Sequence, residues 1–241
     1  MIGLGTIVNV LAILAGGIGG LTFGRFLNEE NQETLAKTCG VCTLFLSISG
    51  AMAEMLKVEG DGLASGRSML VIFCLALGAL IGELLNIERW FERFGIWLRE
   101  KSGNSGDKRF IDGFVTATLT VSIGAMAILG SIQDGISGDH TTLFMKAILD
   151  FIIITVMTSS LGKGCVFSAI PVGIFQGSFT AFARLIRPIM TAEALSNISL
   201  VGSILIFCVG VNLVWNKQIR VANLLPALVL AVLAAFLPIP L

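Results

Sequence analysis

Eight times in its 241 residues this chain enters an apolar stretch of about 20 residues, the length a helix needs to cross a ~30 Å hydrocarbon core. The stretches lie near 3–24, 38–56, 68–87, 110–132, 141–161, 164–183, 196–215 and 219–238. No water satisfies the backbone inside a bilayer, so such segments must close their own hydrogen bonds as helices. Composition agrees. Hydrophobic residues make up 55% of the chain and charged ones 13%, against about 25% charged in soluble domains. The reading is an all-α fold: a polytopic helical membrane bundle of about eight spans, one transmembrane domain over 1–241. The longest connection, 88–109, has 22 residues and leaves no room for a soluble domain. The first stretch lacks the basic leader and small-residue cleavage pattern of a signal peptide. A formal net charge of zero argues against nucleic acid as a partner.

An internal duplication is written over the first half. Gly16, Gly20 and Gly24 precede Arg25-Phe26-Leu27-Asn28, and 58 residues on, Gly78 and Gly82 precede Glu83-Leu84-Leu85-Asn86. The next stretch in each copy ends in Gly-Ala-Met-Ala, at 50–53 and at 124–127, an offset of 74. These matches define repeat one (3–56) and repeat two (68–132), each expected to fold as a helical hairpin, followed by C-terminal helices over 141–238. Small residues four apart let two helix backbones approach closely. The faces Gly16-Gly20-Gly24 and Gly78-Gly82 are therefore expected to meet another helix, or a second copy of the chain in a homodimer.

Lys and Arg set the orientation. The 1–2, 3–4, 5–6 and 7–8 connections carry eleven of them (Arg25, Lys37, Arg89, Arg93, Arg99, Lys101, Lys108, Arg109, Lys163, Lys217, Arg220) and the other side five. Both termini are expected outside, in the cytoplasmic (inner) membrane of a bacterium. Within the 88–109 connection, Ile87, Trp90, Phe91, Phe94 and Leu98 form one helical face opposite Glu88, Arg89, Glu92, Arg93, Arg99 and Glu100. That pattern predicts an amphipathic helix lying in the interface, apolar face toward the acyl chains. Pro171, with Gly173 and Gly177 behind it, falls inside the sixth span. A proline there frees a carbonyl one turn earlier, so this span is expected to be kinked or broken, with Pro171 and Gly177 as hinge.

Charges at membrane depth are functional candidates because each costs about 2.5–3.5 kcal/mol to insert. Asp150 lies nine residues into the fifth span, about 13 Å at 1.5 Å per residue, with Lys146 one turn before it. The pair reads either as a buried salt bridge fixing the bundle or as part of a polar cavity. Asp112, Thr116 and Thr120 share one stripe of span four, mirrored by Cys39, Thr43 and Ser47 in repeat one. Hydroxyls of this kind often bond their own helix; otherwise the two stripes face a common path. Gln133, Asp134, Asp139 and Glu193 are expected outward of Asp150, where together they make an acidic vestibule that gathers cations. Gln176 and Asn212 are expected beside Asp150; Asn9, Asn197 and Asn223 are further amides in or near spans. Glu54 and Glu83 sit near span ends and can snorkel. Cys39-x2-Cys42 has no second pair, and the one histidine, His140, is in a loop, so no metal site and no cofactor is expected. No nucleophile, metalloprotease or P-loop motif is present.

Several ordered runs carry a resemblance. They are Asp112-Gly113, Gly124-Ala125-Met126-Ala127, Gln133-Asp134-Gly135, Lys146-Ala147-Ile148-Leu149-Asp150, Ser168-Ala169-Ile170-Pro171, Gln176-Gly177, Gly210-Val211-Asn212-Leu213 and Ile219 through Ala227. Together they are similar to the YqgA/YdfK-type family of bacterial integral membrane proteins, along essentially the whole chain. The resemblance implies a membrane protein of unknown function with a suspected role in transport, and it brings no site residues with it.

Three functions compete. The first is a secondary transporter or channel for a small polar solute or ion, cation- or proton-coupled through Asp150. Its pathway residues would be Asp150, Lys146, Gln176, Asn212, Asp112, Thr116, Thr120, Asp134 and Glu193. The second is a structural or regulatory membrane protein without transport activity. The third, a membrane enzyme, lacks a convergent polar cluster in the sequence, and no catalytic residue is assigned.

Overall fold

The computed structural model describes residues 1–59, 62–104, 106–107, 109–123, 125–215 and 218–237. Gly124 of the second Gly-Ala-Met-Ala, Lys108 and Lys217 of the basic loops, and Pro238 at the end of the eighth stretch lie outside the described residues. The helices are α1 (Leu4–Gly24), α2 (Glu29–Met55), α3 (Ser68–Leu85), α4 (Ile87–Lys101), α5 (Phe110–Ser122), α6 (Ala125–Ser137), α7 (Thr141–Leu161), α8 (Ala169–Ala181), α9 (Ala183–Ile186), α10 (Ala192–Trp215) and α11 (Pro226–Ala234). Single 3-10 segments, Lys163–Ser168 and Val221–Leu224, lead into α8 and α11. Between α2 and α3, two short strands, β1 (Leu56–Glu59) and β2 (Gly62–Ser65), pair antiparallel with Leu56 opposite Ser65. The architecture is an all-α bundle with this one hairpin on it.

Among the described residues, six helices are long and apolar enough to cross a membrane, seven if the α5–α6 pair counts as one. The eight expected spans need two corrections. The last stretch is short: Val221–Ala234 covers 14 residues, about 21 Å against a ~30 Å core. Pro226 has no N–H to continue an α-helix backward, and the chain takes 3-10 bonds there instead, Leu225 N–H to the Ala222 carbonyl at 3.2 Å. The sharp break lies in the fourth span, not the sixth. The axes of α5 and α6 differ by 61°, and Ile123 between them has extended backbone (φ −78°, ψ 122°). Pro171 sits in the first turn of α8, where an N–H would have no helical partner and its loss demands no kink.

The glycine stripes work inside the chain. A side chain at Gly16, Gly20 or Gly24 would strike the backbone of Phe151, Thr155 or Ser159 on α7, so α1 and α7 run parallel and in close contact. One at Gly78 or Gly82 would strike Ala227 or the Asn223 carbonyl. The backbone approach expected of these faces is present, but α7 and the α11 region occupy both, and neither is available for the expected homodimer. The hairpins are also not packed as hairpins. Among the described residues α1 pairs chiefly with α7, α2 with α10 and α3 with α11. On the α2–α10 seam Gly40 faces Leu213 and Gly50 faces Ser203, an antiparallel register. The outer surface is apolar, with Leu11, Ile18, Phe45, Ile72, Leu80, Ile148 and Ile174 exposed, as lipid contact requires.

The amphipathic helix α4 forms as expected but lies the other way round. Leu98 is buried and Phe91 and Phe94 pack into the main core, with Phe94 5.9 Å from the Phe114 ring. Trp90 and Trp97 are left exposed. The apolar face docks on α5, and the tryptophans carry the lipid-facing role.

Candidate functional site

Three helices and the end of a fourth place a buried polar cluster between them. Because the glycines lock α1 against α7, Asn9 of α1 is held level with Asp150 of α7. Lys146 Nζ donates to Asp150 Oδ1 at 2.8 Å and Oδ2 at 2.6 Å, and to the Val121 carbonyl at 2.7 Å. Asn9 Nδ2 donates to Asp150 Oδ2 at 3.0 Å and to Gln176 Oε1 of α8 at 3.2 Å. Asn9 and Gln176 are fully buried, Asp150 and Lys146 nearly so. Val121 lies in the last turn of α5, so its carbonyl is one the break leaves without a helical donor. The ammonium thus sits at the negative end of a half-helix and on a carboxylate at once, which suits a cation twice. All three of its protons are used.

A separate cavity of about 800 Å³ opens at the end of the bundle where the basic loops gather. Glu30, Glu33, Lys37, Arg109, Asp112 and Thr116 line it, with Glu88, Leu119, Ser160 and Asn212. It climbs the α5 face that carries Leu119, which packs with Leu200, Leu205 and Val209 of α10. Val121 packs instead with Ile13, Ile154 and Val172. The cavity and the charged cluster therefore meet α5 on opposite faces, near the same level.

The structure sorts the expected pathway residues into these two places. Asp150, Lys146 and Gln176 meet in the cluster; Asp112, Thr116 and Asn212 line the cavity. Asn212 is a correction, since it was expected beside Asp150. It closes the turn after α10, accepting from Gln218 and Ile219 N–H at 2.9 Å each and donating to the Ile219 carbonyl at 2.7 Å. Thr120 bonds back to the Thr116 carbonyl at 2.8 Å.

The acidic vestibule does not assemble. Asp134 is fully buried and caps α1, accepting from Gly3 N–H at 2.9 Å and Gly5 N–H at 3.0 Å, with His140 Nδ1 at 3.0 Å. Asp139 accepts from the Thr141 N–H at 3.0 Å at the start of α7, a contact that holds its carboxyl below the ordinary range. Gln133 accepts from Thr142. Glu193 is exposed in the first turn of α10. The carboxylates that do share a space are Glu30, Glu33, Glu88 and Asp112, at the opposite end. Backbone needs explain the difference: helix starts have free N–H groups and draw in the nearest acid.

The remaining polar groups tie elements together. Asn197 donates to the Ala231 carbonyl, Asn223 accepts from the Glu88 N–H, Glu54 joins Ser196 and Arg67, and Glu83 pairs with Arg220. Gly177 faces open space, and Cys42 is exposed while Cys39 is half-buried. Among the described residues no three His, Cys, Asp or Glu side chains gather closely enough to hold a metal. Two participants were missed in the sequence: the Val121 carbonyl, which carries no side-chain signal, and His140, set aside as a loop residue.

Residues 4–236 match the family described as "Protein of unknown function (DUF554)". The chain belongs to that family. It is 30% identical over 232 residues to "Uncharacterized membrane protein YdfK" of Bacillus subtilis (strain 168), covering 96% of this chain and 95% of that one. It is 27% identical over 232 residues to "Uncharacterized protein YqgA" of Escherichia coli (strain K12), covering 95% and 94%. No solved structure matches. It is a membrane protein of an uncharacterised family, and its residues must supply the functional argument.

Proposed function

We propose that this chain is a secondary transporter or channel for a small polar solute or ion, coupled to protons or another cation through Asp150. One observation carries the reading: a buried Lys146–Asp150 pair holds the broken end of α5, while a polar cavity rises along the other face of the same helix. Discontinuous helices of this kind are where transporters bind ions and substrates. Protonation of Asp150 would remove the counter-charge that fixes Lys146. The ammonium would then have only the Val121 carbonyl, and the wall between cluster and cavity would lose its latch. Carboxylates outnumber cations around the cavity, Glu30, Glu33, Glu88 and Asp112 against Lys37 and Arg109, which favours a cationic or neutral polar solute over an anion. The Lys and Arg bias favours the cytoplasmic face of a bacterial inner membrane for this cavity, with the amino terminus outside.

The test is a flux screen in proteoliposomes, with and without a proton gradient, comparing the wild type with Asp150→Asn. The expected result is flux that the substitution abolishes or uncouples. Full gradient-dependent flux in Asp150→Asn would remove Asp150 from the mechanism and leave the pair as an architectural tie.

A further inference from the structure

Two polar atoms next to Asp150 have no protein partner: Asn9 Oδ1 and Gln176 Nε2, both buried. Their orientation follows from the network. Asn9 must turn its Nδ2 toward the Asp150 carboxylate, which only accepts, and Gln176 must then offer Oε1 to the same Nδ2. What remains is one acceptor and one donor flanking a single hydrogen bond. A metal cation cannot accept from Nε2, and an anion cannot donate to Oδ1. A water molecule or a hydroxyl group does both.

One turn away on the same seam, the Thr6 and Thr180 hydroxyls stand 3.3 Å apart, both buried. One turn further, Gly135 packs on the backbone of Thr180, and its neighbour Asp134 holds the amino end of α1 and touches His140. The His140 side chain is partly exposed. We propose that the α1–α8 seam is a water-holding proton path, running from His140 and Asp134 past Thr6 and Thr180 to the Asn9–Gln176 pair and ending on Asp150. Every member along it can donate and accept, or is bridged by a water that can. A proton entering at the His140 end displaces one along the path onto the Asp150 carboxylate, so the only net charge change is at Asp150. The groups facing that carboxylate are Lys146 on its own helix and Asn9 from α1, with the Gln176 amide of α8 behind Asn9 and the Val121 carbonyl of α5 behind Lys146. Lys146 is the one charged group among them. The rungs lie about 4.5 Å apart along α1, three residues at 1.5 Å each, a spacing one water spans.

This path rests on Asp150 being a protonation site, the reading made above, but its test does not require flux. Protein in lipid nanodiscs is taken through a rapid acid jump, and the carbonyl stretch of a protonated carboxylic acid is followed by time-resolved infrared spectroscopy. The band is assigned by its loss in Asp150→Asn. In the isosteric pair Thr6→Val and Thr180→Val, the band should appear more slowly by about tenfold or more, with its final amplitude kept. Thr22→Val, whose hydroxyl bonds its own helix off the seam, should leave the rate unchanged. Equal rates in the wild type and the Thr6/Thr180 variant would overturn the path. So would a wild type in which no Asp150 band appears at any pH. If the band appears and is slowed while no solute moves, the path stands and the transporter reading falls. If solute moves with a gradient while the threonines have no effect on the band, the reverse holds.

Discussion

Breaking the Lys146–Asp150 pair from one side should cost far more than removing it whole. Lys146→Met leaves the Asp150 carboxylate with only the Asn9 amide, and Asp150→Leu leaves the ammonium with only the Val121 carbonyl. Both residues are nearly inaccessible, and stranding one member of a buried ion pair costs about 3–5 kcal/mol. Each single variant should therefore unfold much more readily than the wild type. The double variant Lys146→Met/Asp150→Leu buries no charge and keeps similar volume. Replacements of that kind are typically neutral to stabilising by about 1–4 kcal/mol. The carbonyl of Val121 loses its donor, which returns about 1–3 kcal/mol of cost. The double variant should thus lie within a few kcal/mol of the wild type and well above either single one. Thermal unfolding in detergent, or denaturant titration of the four proteins at one pH, measures the cycle. Additive losses in the double variant would refute the reasoning, because they would mean that the two side chains do not see each other. If the double variant is as stable as the wild type and carries no flux, stability does not explain why the pair is there.

Gly20→Leu should destabilise by about 1–3 kcal/mol or more, because its side chain enters the Thr155 backbone on α7; unchanged thermal stability would contradict that packing. Asp134→Asn leaves one oxygen to serve two N–H groups of α1 and should cost about 1–3 kcal/mol, read by thermal unfolding and by hydrogen exchange at residues 3–6. Asp139→Asn should weaken the start of α7 at neutral pH but make no difference in acid. The folded-state carboxyl titrates below its ordinary value, so its contribution is present above about pH 4 and disappears as pH falls below that; a wild-type advantage that persisted at pH 2 would count against it. Pro171→Ala restores a backbone donor in the first turn of α8 and should leave stability within about 1 kcal/mol, read by thermal unfolding; a larger loss would contradict the placement of Pro171 at an unstrained helix start.

The membrane class and the helix positions were legible because bilayer thickness and backbone satisfaction act locally on each apolar stretch. Gly16, Gly20 and Gly24 announced a close approach for the same local reason. What they approach was not legible, since α7 lies 135 residues downstream and nothing in the spacing of α1 points to it. The Lys146–Asp150 pair was visible at i, i+4. Its other partners were not, because Asn9 reaches Asp150, and Gln176 reaches Asn9, only after three helices pack. Asp134 shows the limit most clearly. In the sequence it is an acid in a loop region, free to face a vestibule, whereas in the fold the unpaired N–H groups of α1 claim it. Side-chain type predicts what a residue can bond, and only tertiary structure says which backbone group needs it.

The two irregular points of the chain are neighbours. The α5–α6 pair runs parallel to the 163–181 segment: Gly113 faces Leu161 and Cys165 at one end, and Gly135 faces Thr180 and Ala183 at the other. Between those contacts, the break after Ile123 falls near the joint at Ser168–Ala169, where the 3-10 turn of Lys163–Ser168 becomes α8. Gly164 seats so tightly on the Phe110 backbone that α5 and the 3-10 segment cannot slide past each other and must move as one body. The half above the break, α6 with α8, is tied separately through Gly135 and Thr180. Lys146 bridges the level of the break, held to Asp150 on α7 and to the Val121 carbonyl in the last turn of α5. Loss of the charge on Asp150 would therefore free the end of α5 from α7, and the proposed transport reading rests on that release.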